Sequence, residues 1–264
     1  MYKKEDHDTI MNNKHFCVIM AGGNKPFLRP TYERFLKIIP RENILVVTLE
    51  KFRSAAMTAI PEIPEENLLL EPYPRGTAPC MAYAMYTILR RCPDAVILAT
   101  PSDHCIQDEE LFAETMGKVA GYVEKHDVLM TLGVVPTTPD ANFGYIQVRG
   151  GRKAIAKGGP LQVKTFTEKP DEELAKVFIA TGEFFWNSGI FAWKARVIRE
   201  EMEFYLPEVT ELFKGWEACL ADPGFIQRAY AECPRISLDY GIMERTGRAW
   251  LYPARFDWQD RGRG

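Results

Sequence analysis

The chain has no surplus of positive charge. Its 33 Lys plus Arg face 36 Asp plus Glu, a formal net charge of −3, which leaves nothing for a sequence-independent grip on phosphate backbones, and no nucleic-acid partner is expected. Nor is there an apolar run approaching the roughly 18 residues a bilayer span requires, so no membrane partner is expected either. The polar stretch from Met1 to Lys14 has neither signal-peptide nor transit-peptide character and reads as a disordered leader, residues 1–14. Histidines number only four, and the cysteines at 17, 80, 92, 105, 219 and 233 show no CxxC spacing. No His stands within metal-motif distance of a Cys except in the His104-Cys105 pair, and reduced thiols in a cytoplasmic protein are the simplest account. With 264 residues, 46% of them hydrophobic, the chain has ample material for a core.

Short apolar runs recur along the first half: Phe16 to Met20, Ile44 to Thr48, Ala95 to Thr100 and Val128 to Gly133. Apolar at successive positions, they suit strands of a parallel sheet buried on both faces. Between them, Leu111, Phe112, Thr115, Met116, Val119, Ala120 and Val123 fall at helical spacing, and Ala78 to Leu89 is a second helix with Pro79 in its first turn. This alternation predicts an open α/β sheet that binds ligands at the carboxyl ends of its strands. Beyond about residue 140 the pattern changes. Tyr145 to Val148 and Val163 to Phe166 look antiparallel, Asp171 to Ala180 is a helix stopped by Gly182, Gly189 to Trp193 is a strand, and Trp250 to Tyr252 forms a last one. No repeat or linker divides the chain, so residues 15–264 are read as one continuous domain.

Three segments could carry chemistry. Ala21-Gly22-Gly23 follows a buried strand, where glycines allow close approach to a phosphate or base, although a tight turn would need the same residues. Thr100-Pro101-Ser102-Asp103-His104 leaves another strand, where Asp103 could hold Mg²⁺ or cap the next helix. His104 reads as a structural hydrogen-bonding residue. Finally, Thr167-Glu168-Lys169-Pro170 and Phe185 to Phe191 offer a carboxylate, an ammonium and an amide suited to a sugar phosphate, or else a surface ion pair and plain core.

Taken in order, these segments join Leu70-Glu71-Pro72, Arg75-Gly76-Thr77-Ala78-Pro79, Phe143-Gly144-Tyr145-Ile146, Leu238-Asp239-Tyr240-Gly241-Ile242-Met243-Glu244 and Trp258-Gln259-Asp260. The series, over roughly residues 15 to 260, resembles the mannose-1-phosphate guanylyltransferases (GDP-mannose pyrophosphorylases) of the sugar-nucleotidyltransferase superfamily. The resemblance implies a Rossmann-like nucleotidyltransferase fold, with a mixed, mostly parallel central sheet flanked by helices. It also implies Mg²⁺ as cofactor and a reaction in which GTP and mannose 1-phosphate give GDP-mannose and pyrophosphate. Carried over by residue, Asp103 and Asp260 look like the Mg²⁺ ligands. Gly22, Gly23, Glu71, Arg75, Thr77 and Pro79 are similar to the nucleotide-binding segments, with Gly76 where the family has Asn. Gly144, Glu168 and Asn187 resemble the mannose contacts, and Lys169 resembles the lysine on the sugar phosphate, which places it with Asp103 and Asp260 in the catalytic set.

Two departures stand out. The family's Gly-x-Arg and Pro-Lys-Gln stretches, which embrace the triphosphate, have no counterpart after Asn24, a gap of about thirty residues. Lys25 and Arg29 are the only nearby cations, and a chain reaching at most about 3.5 Å per residue cannot wrap a triphosphate in so short a connection. The family pattern also continues past Trp-x-Asp into a C-terminal portion, in some relatives a fused isomerase domain. Two further readings stay open: a catalytically inactive homologue that binds sugar phosphate or nucleotide and regulates a partner, and a metal-dependent glycosyltransferase. Whether the protein forms a homodimer, and its base and hexose preferences, are not written in the sequence.

Overall fold

A computed structural model describes residues 11–22, 27–216, 222 and 224–261. The strands are β1 (His15–Ala21), β2 (Ile44–Leu49), β3 (Leu68–Glu71), β4 (Val96–Pro101), β5 (His104–Ile106), β6 (Leu129–Val134), β7 (Tyr145–Val148), β8 (Leu161–Thr167), β9 (Phe184–Lys194), β10 (Ala249–Pro253) and β11 (Trp258–Asp260). The helices are α1 (Leu28–Leu36), α2 (Arg53–Ala59), α3 (Thr77–Arg91), α4 (Glu109–Lys125), α5 (Gly151–Lys157), α6 (Glu172–Thr181), α7 (Ala195–Tyr205), α8 (Pro207–Phe213) and α9 (Phe225–Glu232).

Nine strands form one mixed sheet in the order β3-β2-β1-β4-β9-β6-β10-β8-β7, and β11 pairs with β5 in a separate two-stranded ladder. The half from β3 to β4 is parallel throughout; β9 then runs antiparallel between β4 and β6, and β10 lies parallel to β6. Apolar residues at nearly every position of β1 and β2 are explained by the two-residue period of a strand. Phe16, Val18, Leu45 and Val47 enter the core under α3, α7 and α8, while Cys17, Ile19, Ile44 and Val46 enter the opposite core under α1 and α4. Among the described residues no helix is long and apolar enough to cross a membrane.

Several local expectations are met in detail. Pro79 sits in the first turn of α3, and Gly182 ends α6 in the left-handed conformation at φ 65°. The strand expected at Gly189 to Trp193 is longer, starting at Phe184. Met11 to Lys14, read above as the end of the leader, pack against the domain: Met11 is buried, and Lys14 O accepts from Val96 N at 2.9 Å. Met1 to Ile10, Gly23, Asn24 and Lys25 lie outside the described residues.

Candidate functional site

The carboxyl ends of β1, β2, β3 and β4 open onto a cleft of about 280 Å³. Gly22, Glu71, Arg75 and Thr77 all line it, whereas Pro79 is buried in α3 and is not part of its wall. Burial pushes the Glu71 carboxyl up to about 7, partly countered by a hydrogen bond donated by Tyr230 Oη at 3.0 Å. Carboxyl groups so shifted in clefts are enriched at functional sites, which makes Glu71 a candidate. Arg75 holds the end of α9, donating from Nε to Tyr230 O and from Nη2 to Ala231 O, each at 2.9 Å.

Segment 75–78 is stitched to 236–238. Ile236 N donates to Arg75 O at 3.0 Å, Ala78 N to Ile236 O at 3.2 Å, and Leu238 N to Thr77 Oγ1 at 2.9 Å. Gly76 is the close approach in this seam. It has φ 89° and ψ −178°, a region essentially restricted to glycine, and a Cβ there would meet Ile236 O at 2.5 Å. That geometry accounts for a glycine at position 76 of this chain.

Asp103 and Asp260 converge although far apart in sequence, because β11 pairs antiparallel with β5 and sets Asp260 opposite His104. Ligand atoms of Asp103, His104 and Asp260 lie within 4.8 Å of one another. Arg261 N donates to Asp103 O at 2.9 Å, and Trp258 packs edge-on against His104 at 5.3 Å between ring centroids. Helix α4 is capped by Asp108, whose side chain accepts from Leu111 N at 2.9 Å, so the capping role open to Asp103 in the sequence is taken by another residue. Two carboxylates at this distance fit a hard divalent cation such as Mg²⁺.

The remaining residues meet where Gly144 leads into β7, Glu168 and Lys169 follow β8, and Asn187 lies within β9. Asn187 N donates to Gly144 O at 2.8 Å, and a Cβ on Gly144 would meet Glu168 Oε2 at 2.7 Å. Lys169 Nζ pairs with Glu168 Oε1 at 3.2 Å while remaining largely exposed. Lys169 also has φ 46°, the one positive φ of a non-glycine residue among the described residues; such strain concentrates at functional sites. This group adjoins the first cleft through β9, where a Cβ on Gly189 would touch Pro101 of the cleft wall at 3.4 Å.

Sequence reasoning passed over Arg235, which lines the first cleft, and Asp239, which accepts from Asn187 Nδ2 at 2.8 Å. Burial raises the Asp239 carboxyl to about 6; Glu168 pushes the same way, and Asn187 and Lys169 oppose it. Asp239 lay within a motif that carried the family resemblance, but nothing local in sequence pointed to its partner.

A family model described as Nucleotidyl transferase matches residues 17–262. The chain is 34% identical over 285 residues to the mannose-1-phosphate guanylyltransferase of Escherichia coli (strain K12), covering 96% of this chain and 59% of that protein. It is 32% identical over 272 residues to the xanthan biosynthesis protein XanB of Xanthomonas campestris pv. campestris (strain B100), covering 93% and 57%. This chain thus spans somewhat more than half the length of the curated relatives it matches. Because 96% of 264 is about 253, about 32 of the 285 positions aligned with the E. coli protein have no counterpart here. Among solved structures, one described as a mannose-1-phosphate geranyltransferase from Thermus thermophilus superposes with a TM-score of 0.81 at 28% identity, covering 94% of this chain and 76% of that one. A Helicobacter pylori structure described as a mannose-6-phosphate isomerase shares the fold at a TM-score of 0.78 and 23% identity, covering 94% and 100%. With a family match over nearly its whole length and a sheet whose strand ends gather the expected carboxylates, the chain belongs to the nucleotidyl transferase family.

Proposed function

We propose that the protein transfers a guanylyl group from GTP to mannose 1-phosphate, releasing pyrophosphate and forming GDP-mannose. The observation that carries this reading is the convergence of Asp103 and Asp260, with Asp103 two residues beyond Pro101 of the cleft that Glu71 lines, and Trp258 of the Asp260 strand packed on Phe143, next to Gly144 of the Glu168 and Lys169 group. A guanine base offers two adjacent donors, the N1 hydrogen and the 2-amino group, and an ionised Glu71 is an acceptor for both. Glu168 and Gly144 face the hexose hydroxyls, and the Lys169 ammonium meets the sugar phosphate. A phosphate oxygen of mannose 1-phosphate forms the new bond to the α-phosphorus of GTP as the bond to the pyrophosphate oxygen breaks. Asp103 and Asp260 would hold Mg²⁺, which supplies charge neutralisation for the triphosphate and the departing pyrophosphate. The residues of the chain hold two anions together and orient them for in-line displacement. The described cysteines are free thiols, which supports a cytoplasmic setting.

The sequence lacks the cationic stretch that follows Asn24 in the resembled family. Arg29 offers little substitute, since it is engaged by Glu33 at 2.7 Å and Glu62 at 2.8 Å. Turnover is therefore expected to be slow but specific in product. Incubation with GTP, mannose 1-phosphate and Mg²⁺ should yield pyrophosphate and GDP-mannose in equal amounts. Release of GDP from GDP-mannose in the presence of a hydroxylic acceptor, with no pyrophosphate from GTP and mannose 1-phosphate, would instead identify glycosyl transfer. No product even after a family-like loop is inserted at Asn24 would identify a binding-only homologue.

A further inference from the structure

We infer that Asp239 is a positioning residue for the sugar-phosphate side of the site, acting by fixing the amide of Asn187. This rests on the reading of Asn187, Glu168 and Lys169 as the sugar-phosphate group. Asp239 opens a π-helical turn, Asp239–Met243, closed by Glu244 N donating to Asp239 O at 3.0 Å. Such turns are rare and cluster at functional sites. Both ends of this one reach into the group: Asp239 Oδ1 accepts from Asn187 Nδ2 at 2.8 Å, and Glu244 Oε1 accepts from Glu168 N at 3.1 Å.

The pattern around Asn187 admits a single orientation. Its Oδ1 accepts from Thr131 Oγ1 at 2.9 Å and from Gly189 N at 3.3 Å, so the amino group must face the acceptor-only carboxylate of Asp239. A flipped amide would set oxygen against carboxylate and one donor against another. With Oδ1 doubly occupied and one Nδ2 hydrogen engaged, Asn187 retains one free donor, aimed by Asp239. The same carboxylate also lies in the field of Lys169, and Glu244 holds the peptide just before the strained Lys169. Because 236–238 is stitched to the nucleotide cleft, Asp239 stands where the two halves of the site join.

Two variants separate positioning from direct contact and from fold maintenance. Asp239→Asn keeps an oxygen to accept from Asn187 but removes the charge, whereas Asp239→Ala removes both. By calorimetry, Asp239→Ala should weaken mannose 1-phosphate binding tenfold or more with GTP binding unchanged, and Asp239→Asn should recover to within threefold of wild type. Equal damage in both variants, or no change in Asp239→Ala, overturns the inference. Side-chain amide resonances of Asn187 provide a readout independent of substrate and turnover. They should keep their well-separated wild-type shifts in Asp239→Asn and collapse toward those of a free amide in Asp239→Ala. Unchanged Asn187 signals in Asp239→Ala overturn the inference. If Asp239→Ala does not fold, Asp239→Asn decides alone: loss of the Asn187 signature or of sugar-phosphate binding in it overturns the inference, and retention of both upholds it. Failure of the wild type to bind mannose 1-phosphate would count against the proposed function and leave the Asn187 signature to decide the role of Asp239.

Discussion

Asp260 stands directly opposite His104 in the antiparallel ladder of β5 and β11, so a carboxylate from the end of the described chain shares a face with a buried imidazole from its middle. Directly opposed residues bring their Cβ atoms to about 5 Å, and Asp103 completes the group from the neighbouring position. Asp103→Asn and Asp260→Asn should each lower pyrophosphate release by about two orders of magnitude or more while leaving thermal unfolding unchanged, since each keeps side-chain shape but loses a metal carboxylate. Mn²⁺ binding followed by electron paramagnetic resonance should weaken in parallel. Wild-type binding and rate in either variant would remove the metal assignment.

Glu71 supplies a pH prediction. Its folded carboxyl titrates near 7, above the ordinary value of 4.5, so the folded state holds this proton more tightly than the unfolded chain. The associated stability is complete below about pH 4.5 and is lost as pH rises through 7. Glu71→Gln, still able to accept from Tyr230, should therefore be more stable than wild type at pH 8, by up to about 3 kcal/mol, and gain nothing at pH 4. GTP affinity should rise with pH through about 7 in the wild type, because guanine donors favour the ionised carboxylate, and Glu71→Gln should flatten that rise. Denaturant melts and calorimetry at the two pH values test both statements.

Restoring the residue usual in the resembled family at position 76 should be harmful here. Gly76→Asn would place a Cβ against Ile236 O in a backbone region that side chains avoid, costing about 1–3 kcal/mol or more. An unchanged melting temperature would show that the 75–78 seam can shift.

Lys169→Ala should weaken mannose 1-phosphate binding by about 1.5–3 kcal/mol, the range for a charge-assisted hydrogen bond, with GTP affinity little changed. The reverse pattern in calorimetry would move this lysine to the nucleotide half.

The cationic loop can be tested directly. Insertion of a family-like segment at Asn24 should accelerate pyrophosphate release strongly while leaving mannose 1-phosphate affinity unchanged, because stabilising the charge on a triphosphate is a transition-state effect. A rate unaffected by the insertion would show that other cations, such as Arg75 or Arg235, already serve.

The buried strands β1, β2, β4 and β6 were legible because they are apolar at nearly every position, a signal carried within each segment. The ladder of β5 and β11 was not, since three residues cannot display a period and their pairing is a long-range event. The start of β9 was hidden for another reason. Asn187-Ser188-Gly189 has the composition of a turn, yet the strand runs through it with Gly189 at φ 71° and a register shift against β6. Asp103, Glu168 and Asn187 could be named from motifs because their own neighbours carried the resemblance. Asp239 sat in such a motif too, but its role became visible only once Asn187 was placed across from it.

The central place of β9 has a consequence for how the protein is made. As the chain leaves the ribosome, β1 to β4 can pair as soon as Pro101 has emerged, but the free edge of β4 finds its partner only after β6, β7 and β8 have been synthesised. During that interval an apolar strand edge stands open, the condition in which nascent chains are most prone to associate wrongly. β10 must then enter between β6 and β8, and Asp260 arrives after it. The group of Asp103, His104 and Asp260 is thus assembled only after β10 and β11 have emerged, so a chain arrested before β10 would expose its sheet edge and lack Asp260.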